Sequence, residues 1–191
     1  MTNQQTDKNT LRGTAKRVRA GAAQMLGVQA AEDASLHGLS FLSSLPKGAV
    51  VAGYWPIGDE LDPRFLMQAL SRAGYKTALP VVDGDNAPLK FRLWGQGDPL
   101  IGGPFGTQHP DDDAPSIVPA ALLAPLLAFD PACYRLGWGG GFYDRTLAAH
   151  TSIQAFGFAY AAQFVEDMPR GQHDWPMQGV ITEAGIILPK E

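Results

Sequence analysis

Hydrophobic and polar positions divide the chain into alternating strand-like and helix-like segments. Short, mostly apolar runs predict buried strands at residues 49–54, 76–82, 89–94, 122–129, 153–160 and 180–188. Helical spacing and end signals predict helices at residues 9–27, 31–45, 63–73 and 142–150, and the stretch at 95–119 is rich in loop residues. This alternation predicts an α/β fold, in which one compact domain over residues 1–191 has a mostly parallel central sheet with helices on both faces.

The first predicted helix carries a concentrated positive charge. Residues 1–20 hold five basic side chains and one acidic one, whereas the whole chain has a net charge of −4. Four of the basic residues recur at helical spacing and form one stripe: Lys8, Arg12, Lys16 and Arg19. The stripe beside it is apolar: Leu11, Ala15, Val18 and Ala22. Composition alone favours a solvated basic face on a packed helix, and an Arg-rich, acid-poor mitochondrial transit peptide is the alternative.

Composition excludes several classes of protein. With 45% hydrophobic and 18% charged residues, the chain has enough apolar material for a core. The negative net charge argues against a nucleic-acid partner, and the single cysteine, Cys133, excludes an internal disulfide framework and a CxxC metal site. No apolar run reaches the roughly 20 residues of a membrane span, and the N-terminal segment lacks an apolar signal core. We therefore expect a cytoplasmic protein with no membrane partner. We also expect a monomer, although composition does not determine the oligomeric state.

The segment from Leu127 to Asp144 is the strongest candidate for chemistry. It predicts a buried strand, a turn, a glycine-rich loop at 135–143 and the start of a helix. Ligands of α/β sheets bind beyond the carboxyl ends of strands, where this loop falls. Its four glycines allow backbone N–H groups to approach an anion, Arg135 adds a charged fork, and the following helix adds the positive end of its dipole. The segment therefore predicts a phosphate-binding loop.

This loop differs from the two common phosphate-binding motifs. A Walker A loop ends in Gly-Lys-Ser/Thr, whereas Phe142 and Tyr143 follow the glycines here. The dinucleotide fingerprint also fails, because Phe142 occupies the place of its last glycine. The phosphate-binding interpretation therefore rests on the combination of Arg135, the glycines and Asp144 within ten residues.

The stretch from Ala128 to Asp144 resembles the signature of the 5-formyltetrahydrofolate cyclo-ligase (5,10-methenyltetrahydrofolate synthetase) family, AFDxxGxRLGxGxGYYD. Weaker resemblances follow in the family's order along almost the whole chain, at residues 8–12, 54–60, 79–82, 105–106 and 173–183. The resemblance implies that ATP phosphorylates the formyl oxygen of 5-formyltetrahydrofolate, that N10 attacks the activated carbon, and that phosphate leaves to give 5,10-methenyltetrahydrofolate. It also implies Mg²⁺ as cofactor and ADP as the second product.

By matching position, the resemblance also implies the site residues. ATP would be bound by two basic residues of the first helix and by the loop: Lys8, Arg12, Arg135, Leu136, Gly137, Trp138, Gly139, Gly140, Gly141, Phe142 and Tyr143. The folate substrate would be bound by a set that overlaps the loop: Trp55, Glu60, Trp138, Gly139, Gly140, Gly141 and Phe142. Two carboxylates, Asp144 and Asp174, would hold Mg²⁺, and the catalytic residues would be Arg135 and Tyr143.

Some of these residues also have purely structural explanations. Asp144 can serve as the first-turn acid of a helix, and Trp55 as a core aromatic. The chain departs from the family pattern at Cys133, where Gly is usual, and at Gln178, where Asp is common. Two alternatives therefore stay open: a non-catalytic or weakly active homologue that binds nucleotide or folate, and another phosphate-handling enzyme such as a sugar-phosphate isomerase.

Overall fold

An eight-stranded sheet forms the centre of the protein, as seen in a computed structural model that describes residues 3–190. The strands in chain order are β1 (Val50–Ala52), β2 (Lys76–Val81), β3 (Lys90–Leu93), β4 (Ile101–Gly102), β5 (Gln108–His109), β6 (Ser116–Ile117), β7 (Ala121–Ala124), β8 (Ala128–Phe129), β9 (Arg135–Leu136), β10 (Gln154–Phe158), β11 (Gly179–Thr182) and β12 (Gly185–Ile187). The helices are α1 (Asn3–Leu42), α2 (Arg64–Arg72) and α3 (Phe142–Ala149).

The order of strands in the large sheet is β12-β11-β10-β7-β1-β2-β3-β6. The central strands from β11 to β2 pair in parallel, whereas β12, β3 and β6 pair antiparallel at the two edges. Two short hairpins, β4–β5 and β8–β9, lie outside this sheet. The prediction of a mostly parallel central sheet in one α/β domain is therefore confirmed.

Alternate residues of the central strands point to opposite faces and build two apolar cores. Val51 and Phe156 pack in a core with side chains of α1 and α2, while Ala52 and Ala155 pack in a second core with Leu147 of α3. Helices therefore cover both faces of the sheet, as predicted. None of the helices in the described part of the chain is long and apolar enough to cross a membrane.

Two of the predicted strands are wrong in extent. The run at 122–129 is not one strand, because Pro125 lacks the N–H needed to continue the ladder. The chain leaves the sheet after Ala124, and Ala128–Phe129 pairs instead with Arg135–Leu136. The run at 180–188 is also divided, since it folds back on itself as the antiparallel pair β11–β12. The predicted loop at 95–119 contains the short strands β4, β5 and β6.

The predicted helices at 9–27 and 31–45 belong to one element, α1, which breaks at Gly27. Gly27 has φ 59° and ψ −151°, a conformation outside the helical region that is open almost only to glycine. The break therefore separates an N-terminal segment, which carries the basic stripe, from a C-terminal segment whose alanines pack on the sheet.

The turn between β8 and β9 places Cys133 in the left-handed region, with φ 58°. Asp130 shapes this turn, since its Oδ1 accepts hydrogen bonds from the N–H groups of Ala132 and Tyr134 at 3.0 and 2.9 Å. The Cys133 side chain is fully buried, and burial raises the pKa of its thiol to about 11. The positive φ explains why glycine suits this position, because only glycine adopts it without strain.

Candidate functional site

Two adjacent cavities open where the chain leaves the carboxyl ends of β1, β2 and β7. The smaller, which we call the glycine-loop cavity, has a volume of about 270 Å³. The larger, which we call the apolar cavity, has a volume of about 430 Å³. They share one wall: Pro125, Trp138, Gly140, Phe142 and Tyr143. A ligand in one cavity therefore lies against the same side chains as a ligand in the other.

The glycine-loop cavity brings together every residue for which the sequence predicts ATP or metal binding. Its lining comes from the first segment of α1, from the loop and from the segment before β11: Lys8, Arg12, Pro125, Arg135, Leu136, Gly137, Trp138, Gly139, Gly140, Gly141, Phe142, Tyr143, Asp144 and Asp174. Side chains more than 160 positions apart in the sequence, such as Lys8 and Asp174, meet here. The roles assigned to these residues stay predictions.

Two arginines donate hydrogen bonds to carbonyl groups of the glycine loop. Gly139 and Gly141 have φ values of 107° and 67°, so the chain makes two left-handed turns before α3 begins. Arg12 donates from Nε to the carbonyl of Gly137 at 2.9 Å, and Arg145 donates from Nη2 to the carbonyl of Gly140 at 2.8 Å. The positive φ values explain the glycines at both positions, because any other residue would be strained there, and a side chain would also displace one of these guanidinium groups.

The basic stripe of α1 faces this site, so the solvated-face interpretation is wrong. Lys8 pairs with Asp174, Arg12 reaches the loop, and the Nζ of Lys16 lies 4.3 Å from the centre of the Trp138 ring. Arg19 is only 2% exposed.

The predicted apolar stripe is also wrong at Val18, which is exposed. The buried face of the helix passes instead through Arg19, between Ala15 and Ala22.

Arg19 is the functional candidate that sequence reasoning missed. Its Nε and Nη2 donate to Oδ1 of Asp59, and its Nη1 lies 3.4 Å from Oε1 of Glu60. Its Cζ lies 5.3 Å from the centre of the Trp138 ring. The available signal was its place on the same stripe as Lys8 and Arg12.

Asp144 and Asp174 both line the glycine-loop cavity, and each already has a cationic partner. Asp144 Oδ1 accepts from Arg135 at 2.7 Å and from the N–H of Trp175 at 3.1 Å, which ties the segment around Asp174 to α3. Asp174 Oδ2 accepts from Lys8 and from the N–H of Gly171. No group of three or more His, Cys, Asp and Glu suited to a metal occurs among the described residues.

Gln178 lies away from this pair. Its Oε1 accepts from the N–H of Ala155 at 2.6 Å, and its own N–H donates to the carbonyl of Ala155. It therefore ties the chain to β10 and does not line the glycine-loop cavity. The absence of a carboxylate at this position removes no charge from the cavity wall.

The apolar cavity contains one buried carboxylate, Glu60. Its Oε2 accepts from the N–H of Ile57 at 2.9 Å, and its Oε1 lies 3.4 Å from Nε1 of Trp138. Burial raises the pKa of Glu60, and these two donors together with Arg19 act in the opposite direction. Five of the predicted substrate residues line this cavity: Trp55, Glu60, Trp138, Gly140 and Phe142. The other two, Gly139 and Gly141, line only the glycine-loop cavity.

Tyr143 belongs to the wall that the two cavities share, and Arg135 lies beside it in the glycine-loop cavity. Tyr143 lines both cavities, and burial raises the pKa of its phenol far above its usual range. The guanidinium of Arg135 lies 5.8 Å from the Tyr143 ring centre, and its side chain is 4% exposed. At neutral pH the Tyr143 phenol therefore keeps its proton, and the permanent positive charge of Arg135 lies against its ring.

The chain is similar to several known proteins of one enzyme family. The chain is 35% identical to 5-formyltetrahydrofolate cyclo-ligase of Escherichia coli strain K12 over 143 residues, which cover 71% of this chain and 79% of the relative. It is 28% identical to the enzyme of the same name from Haemophilus influenzae over 181 residues, which cover 91% and 96% of the two chains. The solved structure of Aquifex aeolicus 5,10-methenyltetrahydrofolate synthetase matches with a TM-score of 0.75 at 28% identity, and the match covers 96% of this chain and 93% of that one.

The match extends over nearly the full length of the fold. The profile of the 5-formyltetrahydrofolate cyclo-ligase family covers residues 4–183, which include the basic segment of α1, the glycine loop and both carboxylates of its cavity. The basic helix is thus part of the family domain. The chain belongs to the 5-formyltetrahydrofolate cyclo-ligase family, and it is a ligase of that family.

Proposed function

We propose that this protein catalyses the ATP- and Mg²⁺-dependent cyclisation of 5-formyltetrahydrofolate to 5,10-methenyltetrahydrofolate, with release of ADP and phosphate. The observation that carries the proposal is the wall shared by the two cavities. One cavity has the charges and backbone N–H groups of a phosphate site, and the other is an apolar slot with a single carboxylate. Transfer of a phosphoryl group between two ligands needs two such sites in direct contact.

The glycine-loop cavity supports binding of the ATP phosphates. Lys8, Arg12 and Arg135 supply positive charge, and the N–H groups of the loop supply neutral donors next to the first turn of α3. Because Arg12 and Arg145 already hold the loop, little conformational entropy is lost when a phosphate binds.

Asp144 and Asp174 fit Mg²⁺ by the chemistry of their donors. Hydrogen bonds among the described residues reach Oδ1 of Asp144 and Oδ2 of Asp174, so each carboxylate keeps a second oxygen for a cation. One or two carboxylates with phosphate oxygens and water are the usual ligands of Mg²⁺ at nucleotide sites. When bound, the ion supplies charge neutralisation for the transferring phosphoryl group.

The apolar cavity supports binding of the pterin part of the folate. The ring of Phe142 and the indoles of Trp55 and Trp138 line the slot, and aromatic faces of this kind pack against a flat bicycle. Ionised Glu60 is a strong acceptor for the N–H groups of the pterin. An apolar wall with one oriented acceptor is typical of a specific small-molecule site.

The reaction needs ATP because the formyl oxygen is a poor leaving group. A new P–O bond forms to this oxygen as the bond between the γ-phosphorus and ADP breaks. N10 then attacks the formyl carbon and loses its proton, and the carbon–oxygen bond breaks with phosphate as the leaving group. The protein has little covalent work to do, so positioning and charge neutralisation dominate.

Arg135 and Tyr143 have distinct roles in this scheme. Arg135 stabilises negative charge on the phosphoryl group as it moves between the cavities. Tyr143 keeps its proton, because burial raises its pKa, and its hydroxyl donates to the formyl oxygen. A Tyr143→Phe variant is therefore expected to lose turnover at every pH, with no shift of the pH profile.

The decisive experiment is spectroscopic. The methenyl product absorbs differently from 5-formyltetrahydrofolate, so its formation is followed directly with ATP and Mg²⁺ present, and with each left out in turn. Product that depends on both supports the proposal, and tight binding of both ligands without product favours the non-catalytic homologue instead. The sugar-phosphate isomerase alternative is set aside by membership of the ligase family.

A further inference from the structure

A buried arginine connects the basic helix to the apolar cavity. The Arg19 side chain is 3% exposed, and charged side chains are rarely so buried without a partner. Its partners are two consecutive acids, Asp59 and Glu60, on the loop that follows β1. The guanidinium also lies over the Trp138 ring of the glycine loop. Arg19, which belongs to α1, therefore contacts both the loop after β1 and the glycine loop.

The geometry uses the planar fork of arginine. Nε and Nη2 are directed to Asp59, Nη1 is directed to Glu60, and the centre of the group lies 5.3 Å from the centre of the indole. A lysine ammonium is a point charge and lacks the planar face and the parallel donors that such a contact needs.

Both groups that Arg19 contacts in the apolar cavity are themselves in contact. Oε1 of Glu60 lies 3.4 Å from both Arg19 Nη1 and Trp138 Nε1, while Oε2 is held by backbone. Asp59, on the same loop, also raises the pKa of Glu60, and the charge of Glu60 in turn raises the pKa values of Tyr54 after β1 and Tyr143 on α3. Of the charged groups that face Glu60 in the described part of the chain, Arg19 is the cation.

We propose that Arg19 is a positioning residue for substrate recognition: it fixes the charged form and the orientation of Glu60 and sets the plane of Trp138. This inference rests on the proposed function, since it assumes that Glu60 and Trp138 bind the folate. Without Arg19, Glu60 takes up a proton at higher pH, and its neutral form is a weaker acceptor for the pterin. Burial, which raises the pKa of Glu60, then acts without its main opposing charge.

The first test observes Glu60 directly and needs no ligand. The carboxyl carbon of Glu60 is titrated by NMR in the wild type, in Arg19→Met and in Arg17→Met, and the indole N–H of Trp138 is followed in the same samples. Arg17 is the matched control, since it lies on the same helix, is exposed and contacts only Thr14 among the hydrogen bonds seen. We expect Arg19→Met to raise the pKa of Glu60 and shift the Trp138 signal, and Arg17→Met to change neither. An unchanged Glu60 titration overturns the proposal.

The second test measures equilibrium binding of 5-formyltetrahydrofolate without ATP between pH 6 and 9. We expect Arg19→Met to weaken binding about tenfold at pH 7 and to move the acid-side loss of affinity to higher pH. Arg19→Lys keeps the charge, so we expect its acid limb to stay near that of the wild type while its affinity is reduced. Weaker binding in Arg19→Met with an unmoved acid limb would mean that Arg19 only supports the fold.

These outcomes separate the inference from the proposed function. A wild type that binds folate but forms no product contradicts the cyclisation and leaves the Arg19 tests valid. A wild type that binds no folate contradicts the proposed function, and the NMR titration still decides what Arg19 does to Glu60. Should Arg19→Met fail to fold, Arg19→Lys decides the matter, because wild-type affinity in that variant would overturn the proposal.

Discussion

Lys8 and Asp174 lie 166 positions apart in the sequence and form an ion pair with a separation of 2.5 Å in the wall of the glycine-loop cavity. The pair fastens the first segment of α1 to the segment that precedes β11. It also gives one of the two proposed metal ligands a protein cation, which Mg²⁺ would have to displace or share. The charge of Lys8 is thus paired within the wall of the proposed nucleotide site.

Replacing Lys8 or Arg12 with Ala is expected to raise the KM for ATP about tenfold, because each change removes one positive charge from the glycine-loop cavity, where we propose that the phosphates bind. Thermal stability should change by only about 2 °C, since part-exposed ion pairs contribute little to folding. Initial rates over an ATP titration measure the first effect, and a thermal melt measures the second.

Arg17→Ala is the control for these two variants. Lys16 is unsuitable, because it contacts Trp138. Equal KM values in all three variants would show that the stripe has no part in nucleotide binding.

Asp144→Asn and Asp174→Asn are expected to lose most turnover at ordinary Mg²⁺ and to regain part of it when Mg²⁺ is raised. Their stabilities should differ. Asp144 neutralises Arg135, whose side chain is 4% exposed, so its loss should lower the free energy of unfolding by about 1–3 kcal/mol. Asp174 pairs with the less buried Lys8, and its loss should cost about 1 kcal/mol or less. Urea unfolding and a Mg²⁺ titration check both parts, and wild-type Mg²⁺ dependence in Asp174→Asn would remove it from the metal site.

Glu60→Gln is expected to weaken folate binding at least about tenfold without loss of stability at neutral pH. Because burial raises the folded-state pKa of Glu60, the folded protein holds this proton more tightly than the unfolded chain does. The stability associated with the neutral form is therefore present at low pH and is lost as pH rises through the folded-state pKa.

The Glu60→Gln variant avoids that loss, so its melting temperature should match or exceed that of the wild type near pH 7.5. The difference should shrink as the pH falls towards 4.5, the ordinary value for a glutamate. Melting curves at a series of pH values test this. A variant that is less stable at pH 7.5 would show that the Arg19–Glu60 pair outweighs the cost of burying the charge.

Cys133→Gly is expected to be about as stable as the wild type. Relief of the strain at φ 58° contributes about 1–2 kcal/mol, and loss of a fully buried small side chain offsets it. Cys133→Ala keeps the strain and loses the sulfur, so it should be the less stable of the two variants. Chemical unfolding ranks them. If Cys133→Ala has a higher free energy of unfolding than Cys133→Gly, side-chain packing outweighs backbone strain at this position.

The glycine loop and Asp144 were predictable as one cavity wall because they lie in one segment with strong local signals. Glycines, Arg135 and a helix start stand within ten residues, and each has a specific backbone or charge role. The shared wall was not predictable, since Pro125 and Tyr143 meet only after the chain leaves β7 and returns through the β8–β9 hairpin. Residues 122–129 form one apolar run, so their pattern predicted a single strand and did not show that the chain leaves the sheet after Ala124.

Arg19 marks a second limit on what the sequence predicts. Helical spacing placed it on a basic stripe, and basic stripes usually face solvent. Its burial depends on Asp59 and Glu60, which come from a loop that is forty positions away in sequence and is aligned only by the parallel pairing of β1. A pattern of charges along one helix contains no information on which loop will neutralise it.

The orientation of the basic stripe depends on the φ and ψ angles of Gly27, where α1 breaks. Apart from nearby backbone of the same helix, no atom of the described residues lies within 4 Å of the place of a Cβ at Gly27, so space alone would permit a larger residue. The backbone conformation does not, because φ 59° with ψ −151° is open almost only to glycine. The direction in which Lys8, Arg12 and Arg19 approach the two cavities therefore depends on a residue that lines neither of them. A residue other than glycine at position 27 would force the backbone into another conformation and redirect the whole stripe.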